Sequence, residues 1–253
     1  GILYVPDPTA EELSLTIQDV AVVNNRNGIE FAADNTDADG SVNSIEARDN
    51  GQAIAVYEVM GELSVEGSEL ISNEYGIAGN PTSLSVSNTD INRNEEWGVS
   101  ISDSISVSIT DTNVNENGAG DSDGDNIYIG ELPTESTVKI ENVEASNAND
   151  NGIAIESQQA DVTLSDITAN QNGDGGVWIQ SQSASVDSLT ADGNSDDILS
   201  IRADTSEITD VETENTGGGI YAEGSDIAIS DVTVESNTGD HGIDIPSAST
   251  VSI

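Results

Sequence analysis

The sequence predicts an all-β chain wound as a single parallel solenoid of about ten coils, on three observations. A short apolar unit recurs at nearly constant spacing, a second apolar pattern inside each unit steps by three, and no helical period competes with either. The recurring unit is usually Gly, then Ile or Val, then an apolar residue two places on. It reads "GIEF" at 28, "AIAV" at 53, "GIAG" at 76, "GVSI" at 98, "NIYI" at 126, "GIAI" at 152, "GVWI" at 176, "DILSI" at 197, "GIYA" at 219 and "GIDI" at 242. With Ile29, Ile54, Ile77, Val99, Ile127, Ile153, Val177, Ile198, Ile220 and Ile243 as anchors, the spacings lie between 21 and 28 residues.

Each element of the coil follows from residue type. The Gly-Ile unit alternates inward and outward positions, as a strand does. Further along come strands such as "VTL" (162–164) and "IAIS" (227–230), and then an apolar residue three places after the last one: Ile140 to Val143, Leu164 to Ile167, Val186 to Leu189, Ile208 to Val211, Ile229 to Val232. A strand repeats at two, so a step of three inserts a bend. The bend pairs are Ser-Asp, Thr-Asp or Glu-Asn, whose side chains bond local backbone. An Asn-rich turn follows, at Asn25, Asn73, Asn94, Asn149, Asn172, Asn194, Asn215 and Asn237. Stacked at one position of successive coils, these amides form a hydrogen-bonded ladder.

Composition narrows the partners. Forty-eight acids against five Lys and Arg leave a net charge of −43, which excludes nucleic acid and anionic membrane surfaces as partners. There is no cysteine, hence no disulfide or thiolate metal site. No apolar run approaches the roughly 18 residues of a membrane helix, so direct membrane insertion is not expected. The only Asn-x-Ser/Thr is "NPT" at 80, where proline blocks N-glycosylation.

The order Asn-turn, Gly-Ile-x-Ile, turn, Val-x-Ile resembles the repeat of pectate-lyase-like and NosD-like proteins over residues 13 to 253. That resemblance implies a right-handed single-stranded parallel β-helix, one domain over 1–253. It implies no single activity, because lyases, hydrolases, tailspikes and adhesins share the repeat. An acid excess with one lysine resembles the proteins of extreme halophiles, and implies a haloarchaeal surface protein of cellular or viral origin.

Polygalacturonase-like hydrolases of this fold carry Asn-Thr-Asp, Asp-Asp and Gly-His-Gly on neighbouring coils. Similar fragments stand here at 35–37, 88–90, 196–197 and 240–242. Asp90 and Asp196 lie four coils apart, about 20 Å, too far for the 5 to 9.5 Å of paired glycosidase carboxylates. Asp197, Asp240 and His241 are the one set near that range and the alternative catalytic candidates; their structural reading is solvated turns. Lyases of the fold use an arginine or lysine beside calcium-binding carboxylates, for which Arg26, Arg48 and Arg93 are the available bases, and their plain role is pairing with acids.

Calcium is the candidate cofactor. "NTDADGSVNSIE" places Asn35, Asp37 and Asp39 at alternate positions, Gly40 at the sixth and Glu46 at the twelfth of a calcium loop, though with Asn first and strands as flanks. "DSDGDN" offers Asp121, Asp123 and Asp125 in the longest coil, an oxygen-rich set suited to a hard cation. Acidic loops adapted to salt are the competing reading.

The middle residue of each Gly-Ile-x-Ile points outward, so stacking lines up Glu30, Ala55, Ala78, Ser100, Tyr128, Ala154, Trp178, Leu199, Tyr221 and Asp244. Tyr128, Ala154, Trp178, Leu199 and Tyr221 form an apolar stripe of a size that soluble proteins use. It is expected to be a contact face unless the 118–126 insertion covers it. The chain opens on "GILYV" and stops on "STVSI", strands without caps, and is expected to be a segment of a longer chain or a subunit stacking end to end. The function expected is an extracellular structural or adhesive rod, homo-oligomeric or bound to other surface proteins. A polysaccharide lyase, a glycoside hydrolase or a tailspike-type glycan binder is the alternative.

Overall fold

A computed structural model describes residues 1–5, 13–32, 38–120, 124–214, 216–239 and 241–252. Among them there is no helix, and the strands pair in parallel from coil to coil, so each coil lays its strands directly on those of the coil before. Along the Gly-Ile face the register runs Ile2, Ile29, Ile54, Ile77, Val99, Ile127, Ile153, Val177, Leu199, Ile220, Ile243. Nine of the ten expected anchors stand in that file. The eighth does not, because Leu199 and not Ile198 occupies it.

A second file stacks Ile17, Val42, Val65, Val86, Ile109, Ile140, Leu164, Val186, Ile208 and Ile229. These side chains and the Gly-Ile anchors from Ile29 to Ile220 meet in one core that runs along the stack, while Ile243 at its end is 38% exposed. Burying each Ile, Leu or Val contributes about 1.5–3 kcal/mol. Among the described residues each strand from the second coil to the ninth pairs with the coil on either side.

The bends have a common backbone cause. Asp19, Ser44, Gly67, Asn88, Asp111, Asn142, Asp166, Ser188, Asp210 and Asp231, one per coil, all have φ between 49° and 58°. This left-handed conformation favours Gly, Asn and Asp, so the step of three read in the sequence is one αL residue between two strands. A second αL residue in nine of the coils, at Asn24, Asp49, Ser72, Arg93, Glu116, Asn147, Gln171, Gly193 and Ser236, sits immediately before the ladder position. Several expected short strands are continuous across a corner, as in Gln52–Glu66, Val177–Thr190 and Leu199–Glu214.

The ladder is built from Asn25, Asn50, Asn73, Asn94 and Asn117, the Oδ1 of each one after Asn25 accepting from the backbone N–H and Nδ2 of the preceding coil's asparagine at 2.9–3.3 Å. In the sixth coil the position belongs to Ala148 and not to Asn149: the Ala148 N–H donates to Asn172 Oδ1 at 2.9 Å. Asn126 closes the gap. Its Oδ1 accepts from Asn117 Nδ2 at 2.8 Å, and its Nδ2 donates to the Ser146 carbonyl at 2.9 Å. Neighbouring coils carry glycine where Asn126 stands; a Cβ on Gly98 would lie 2.8 Å from Asn117 Nδ2. Asn172 and Asn194 continue the ladder, and Thr216 takes the next place, its hydroxyl 3.1 Å from Asn237 Oδ1. Asn215 lies outside the described residues.

Candidate functional site

The outward file of the Gly-Ile face reads Ala78, Ser100, Tyr128, Ala154, Trp178, Ser200, Tyr221, Asp244. Leu199, expected in this stripe, is 0% exposed and points into the core. The reason is visible in the alternation: Val177 and Ile179 pair with Leu199 and Ile201, two places apart, so Ser200 faces outward. Ala154 does stand in the file, yet it is only 4% exposed, because its larger neighbours overhang it. The expected five-residue apolar stripe is therefore broken by a serine and sunk at its alanine.

What the file contains instead is a recess of about 400 Å³. Ala154 lies between Tyr128 and Trp178 in register, and its short side chain leaves a slot between two large rings whose strands are two coils, about 9.6 Å, apart. Trp97 forms another part of the wall. It stacks with Tyr128 at 6.0 Å between centroids and with Tyr75 at 5.6 Å, the planes tilted by 31° and 34°. The Trp97 indole Nε1 is buried without a hydrogen-bond partner among the described residues. Tyr75 and Trp97 were not anticipated, although both immediately precede the glycine of their coils and stand 22 residues apart, as Ile77 and Val99 do.

The remaining wall is acidic: Asp125, Asp150, Glu156 and Asp174 line the recess with Asn151. The backbone N–H of Asp174 donates to the Asp150 carbonyl, and that of Asp196 to the Asp174 carbonyl, both at 3.1 Å. Three aspartates thus stand one above another in consecutive coils. Asp125, only 4% exposed, is held by the Asn151 N–H and Nδ2 at 2.9 and 3.0 Å. Burial outweighs these bonds and pushes its carboxyl up to about 7. Asp174 is also raised, by partial burial and the charge of Asp196, against a hydrogen bond to Asp150. The Tyr128 hydroxyl donates to Glu156 Oε2 at 3.0 Å; burial first, then this bond, raises the phenol to about 12.

The other candidate sets are less convergent. Asp197 is half-buried and its carboxyl is raised by burial and by Asp196, Asp244 and Asp174. His241 is exposed, and its carbonyl accepts from Asn237 Nδ2 at 3.4 Å; Asp240 lies outside the described residues. Arg48 is taken up by Glu46 at 2.6 Å and Glu69 at 3.0 Å. In the first calcium loop Asp39 accepts from the Glu62 N–H at 2.8 Å, Glu46 sits beyond the Ser44 bend on Arg48, and Asn35 and Asp37 lie outside the described residues. In the second, Asp121 and Asp123 lie outside them and Asp125 lines the recess. Among the described residues no group of three or more His, Asp or Glu is arranged to hold a metal ion.

The 118–126 insertion does not blanket the stripe where it is described. Gly120 bonds back to Glu95 at 2.7 Å, only Asp125 reaches the recess, and Trp178 and Tyr221 remain half-exposed. Tyr221 is engaged separately, its hydroxyl 2.8 Å from Glu223 and its ring 5.5 Å from the Arg202 guanidinium.

No curated protein and no solved structure matches this chain. Residues 122–253, more than half of the chain, match the family model of the right-handed β-helix region. With parallel coils, a stacked register and an αL bend in each coil, the chain belongs to the right-handed β-helix family.

Proposed function

We propose that the protein is an adhesive β-helical rod of the cell exterior whose Gly-Ile face binds an extended glycan. The observation that carries this reading is the recess between Tyr128 and Trp178, floored by Ala154 and edged by carboxylates. Pyranose rings present apolar C–H faces that stack on Tyr and Trp, and hydroxyls that donate to carboxylates, so walls of both kinds in one slot match that chemistry. An apolar contact with a second rod is less favoured by the same features. Ser200 interrupts the stripe, and two chains of net charge −43 repel each other. The reading is tested by titrating tryptophan fluorescence with a panel of neutral and charged oligosaccharides, on the wild type and on Trp178→Ala and Tyr128→Ala. The expected outcome is saturable binding to at least one oligosaccharide, weakened about tenfold or more by either substitution. Absence of binding across the panel, with lateral self-association in the ultracentrifuge that Trp178→Ala abolishes, would replace it with the protein-contact rod.

A further inference from the structure

We infer that the glycan held in this recess carries cationic amino groups, an amino-sugar polymer and not a uronate; the inference rests on the glycan-binding reading above. The slot has a fixed shape: its floor is an alanine 4% exposed between two aromatic walls, with room of about 400 Å³ for one or two sugar rings. What distinguishes one glycan from another here is charge. Asp125, Asp150, Glu156 and Asp174 line the slot, and among the described residues no Lys, Arg or His does. The base nearest along the same row is Arg202, two coils beyond Glu156, and it is occupied by the Glu223 carboxylate at 3.7 Å and the Tyr221 ring.

An acidic sugar entering this slot would set its carboxylate beside several others in a partly desolvated space, which opposes binding. An ammonium group meets carboxylates on one side and the negative faces of Trp and Tyr on the other, two favourable contacts from one group. The acids also repeat in the right sense. Asp150, Asp174 and Asp196 succeed one another coil by coil at about 4.8 Å, close to the length of one sugar residue, so a polymer lying along the rod axis meets one acid per residue.

The test compares three oligomers of equal length on the intact chain in one buffer of fixed salt: a glucosamine hexamer, the fully N-acetylated hexamer and a galacturonate hexamer. Tryptophan fluorescence reports binding, and three proteins are used: wild type, Asp150→Asn/Asp174→Asn, which keeps the shape and removes charge, and Ala154→Leu, which fills the floor and keeps every charge. Circular dichroism verifies that both variants fold. The wild type is expected to bind the glucosamine hexamer about tenfold or more tightly than the N-acetylated one, and the galacturonate hexamer not at all. That preference is expected to shrink severalfold in the double aspartate variant, and binding to be lost in Ala154→Leu. Equal or tighter binding of the N-acetylated or galacturonate hexamer would overturn the amine preference while leaving the glycan-binding face intact. Unchanged glucosamine binding in Ala154→Leu would show attraction to the overall negative charge, and would overturn the assignment to this recess. If no hexamer binds, both the preference and the glycan-binding reading fall.

Discussion

Replacing Asn73 by Ala removes one rung from the buried amide ladder, and its cost can be worked from the bonds lost. Asn73 is 1% exposed. Its Oδ1 accepts from the Asn50 N–H and the Asn50 Nδ2, each at 3.0 Å, and its Nδ2 donates to the Ala47 carbonyl and to Asn94 Oδ1, each at 3.1 Å. Two of the four partners keep a second bond: Asn50 Nδ2 still reaches the Val22 carbonyl, and Asn94 Oδ1 still accepts from the residue 73 N–H. The Asn50 N–H and the Ala47 carbonyl lose the side-chain bonds that face the ladder. Two such buried groups at about 1–3 kcal/mol each give an expected loss of about 2–6 kcal/mol. Urea denaturation followed by circular dichroism reads the loss, and hydrogen exchange of the Asn50 amide localises it. Asn126→Gly is the companion experiment. It restores the glycine that neighbouring coils carry but opens the ladder above Asn117, and it is expected to cost a comparable amount. Adding Ala148→Asn, which supplies an amide at the position Asn126 substitutes for, is expected to recover most of that cost. A loss below about 0.5 kcal/mol for Asn73→Ala, within the range of a neutral surface change, would refute the ladder as a stabilising element.

Three further outcomes are expected. Burial pushes the Asp125 carboxyl up to about 7, well above the usual carboxylate range of about 4, so the folded state binds the extra proton and this residue's contribution to stability falls as pH rises from about 4 to about 7; Asp125→Asn should match the wild type near pH 4 and exceed it by a few kcal/mol near pH 8, and equal stability at both would count against the buried acid. With 43 excess negative charges, the unfolding midpoint should climb between about 0.1 and 3 M salt as the Debye length shrinks from about 10 Å to 3 Å or less, and a flat midpoint would contradict the repulsion. Gly79 has φ +140°, and a Cβ there would sit 2.0 Å from the Val56 carbonyl, so Gly79→Ala should cost about 3 kcal/mol or more; a fully stable variant would show that the corner relaxes freely.

Local chemistry determined most of the fold. Alternation by two marks the strands, and the single Asp, Asn, Ser or Gly at each step of three marks an αL bend, because both are properties of a few neighbouring residues. The placement of Leu199 was also legible: Leu199 and Ile201 keep the spacing of two that Val177 and Ile179 show, whereas Ile198 is followed two places on by a serine. The ladder was legible only in part, since Ala148 carries no amide and Asn126, from a different position of the preceding coil, fills the gap. Stacking alone determined the recess. Tyr128, Ala154 and Trp178 are some 25 residues apart in sequence, with Trp97 and the aspartates drawn from still other turns. The stack sets each about 4.8 Å from the next coil, where the bulk of two rings and the smallness of one alanine leave a slot. Burial then raises a carboxyl such as Asp125 far above its usual range, because the loss of water around a charge is a property of what surrounds it and is written in no single coil.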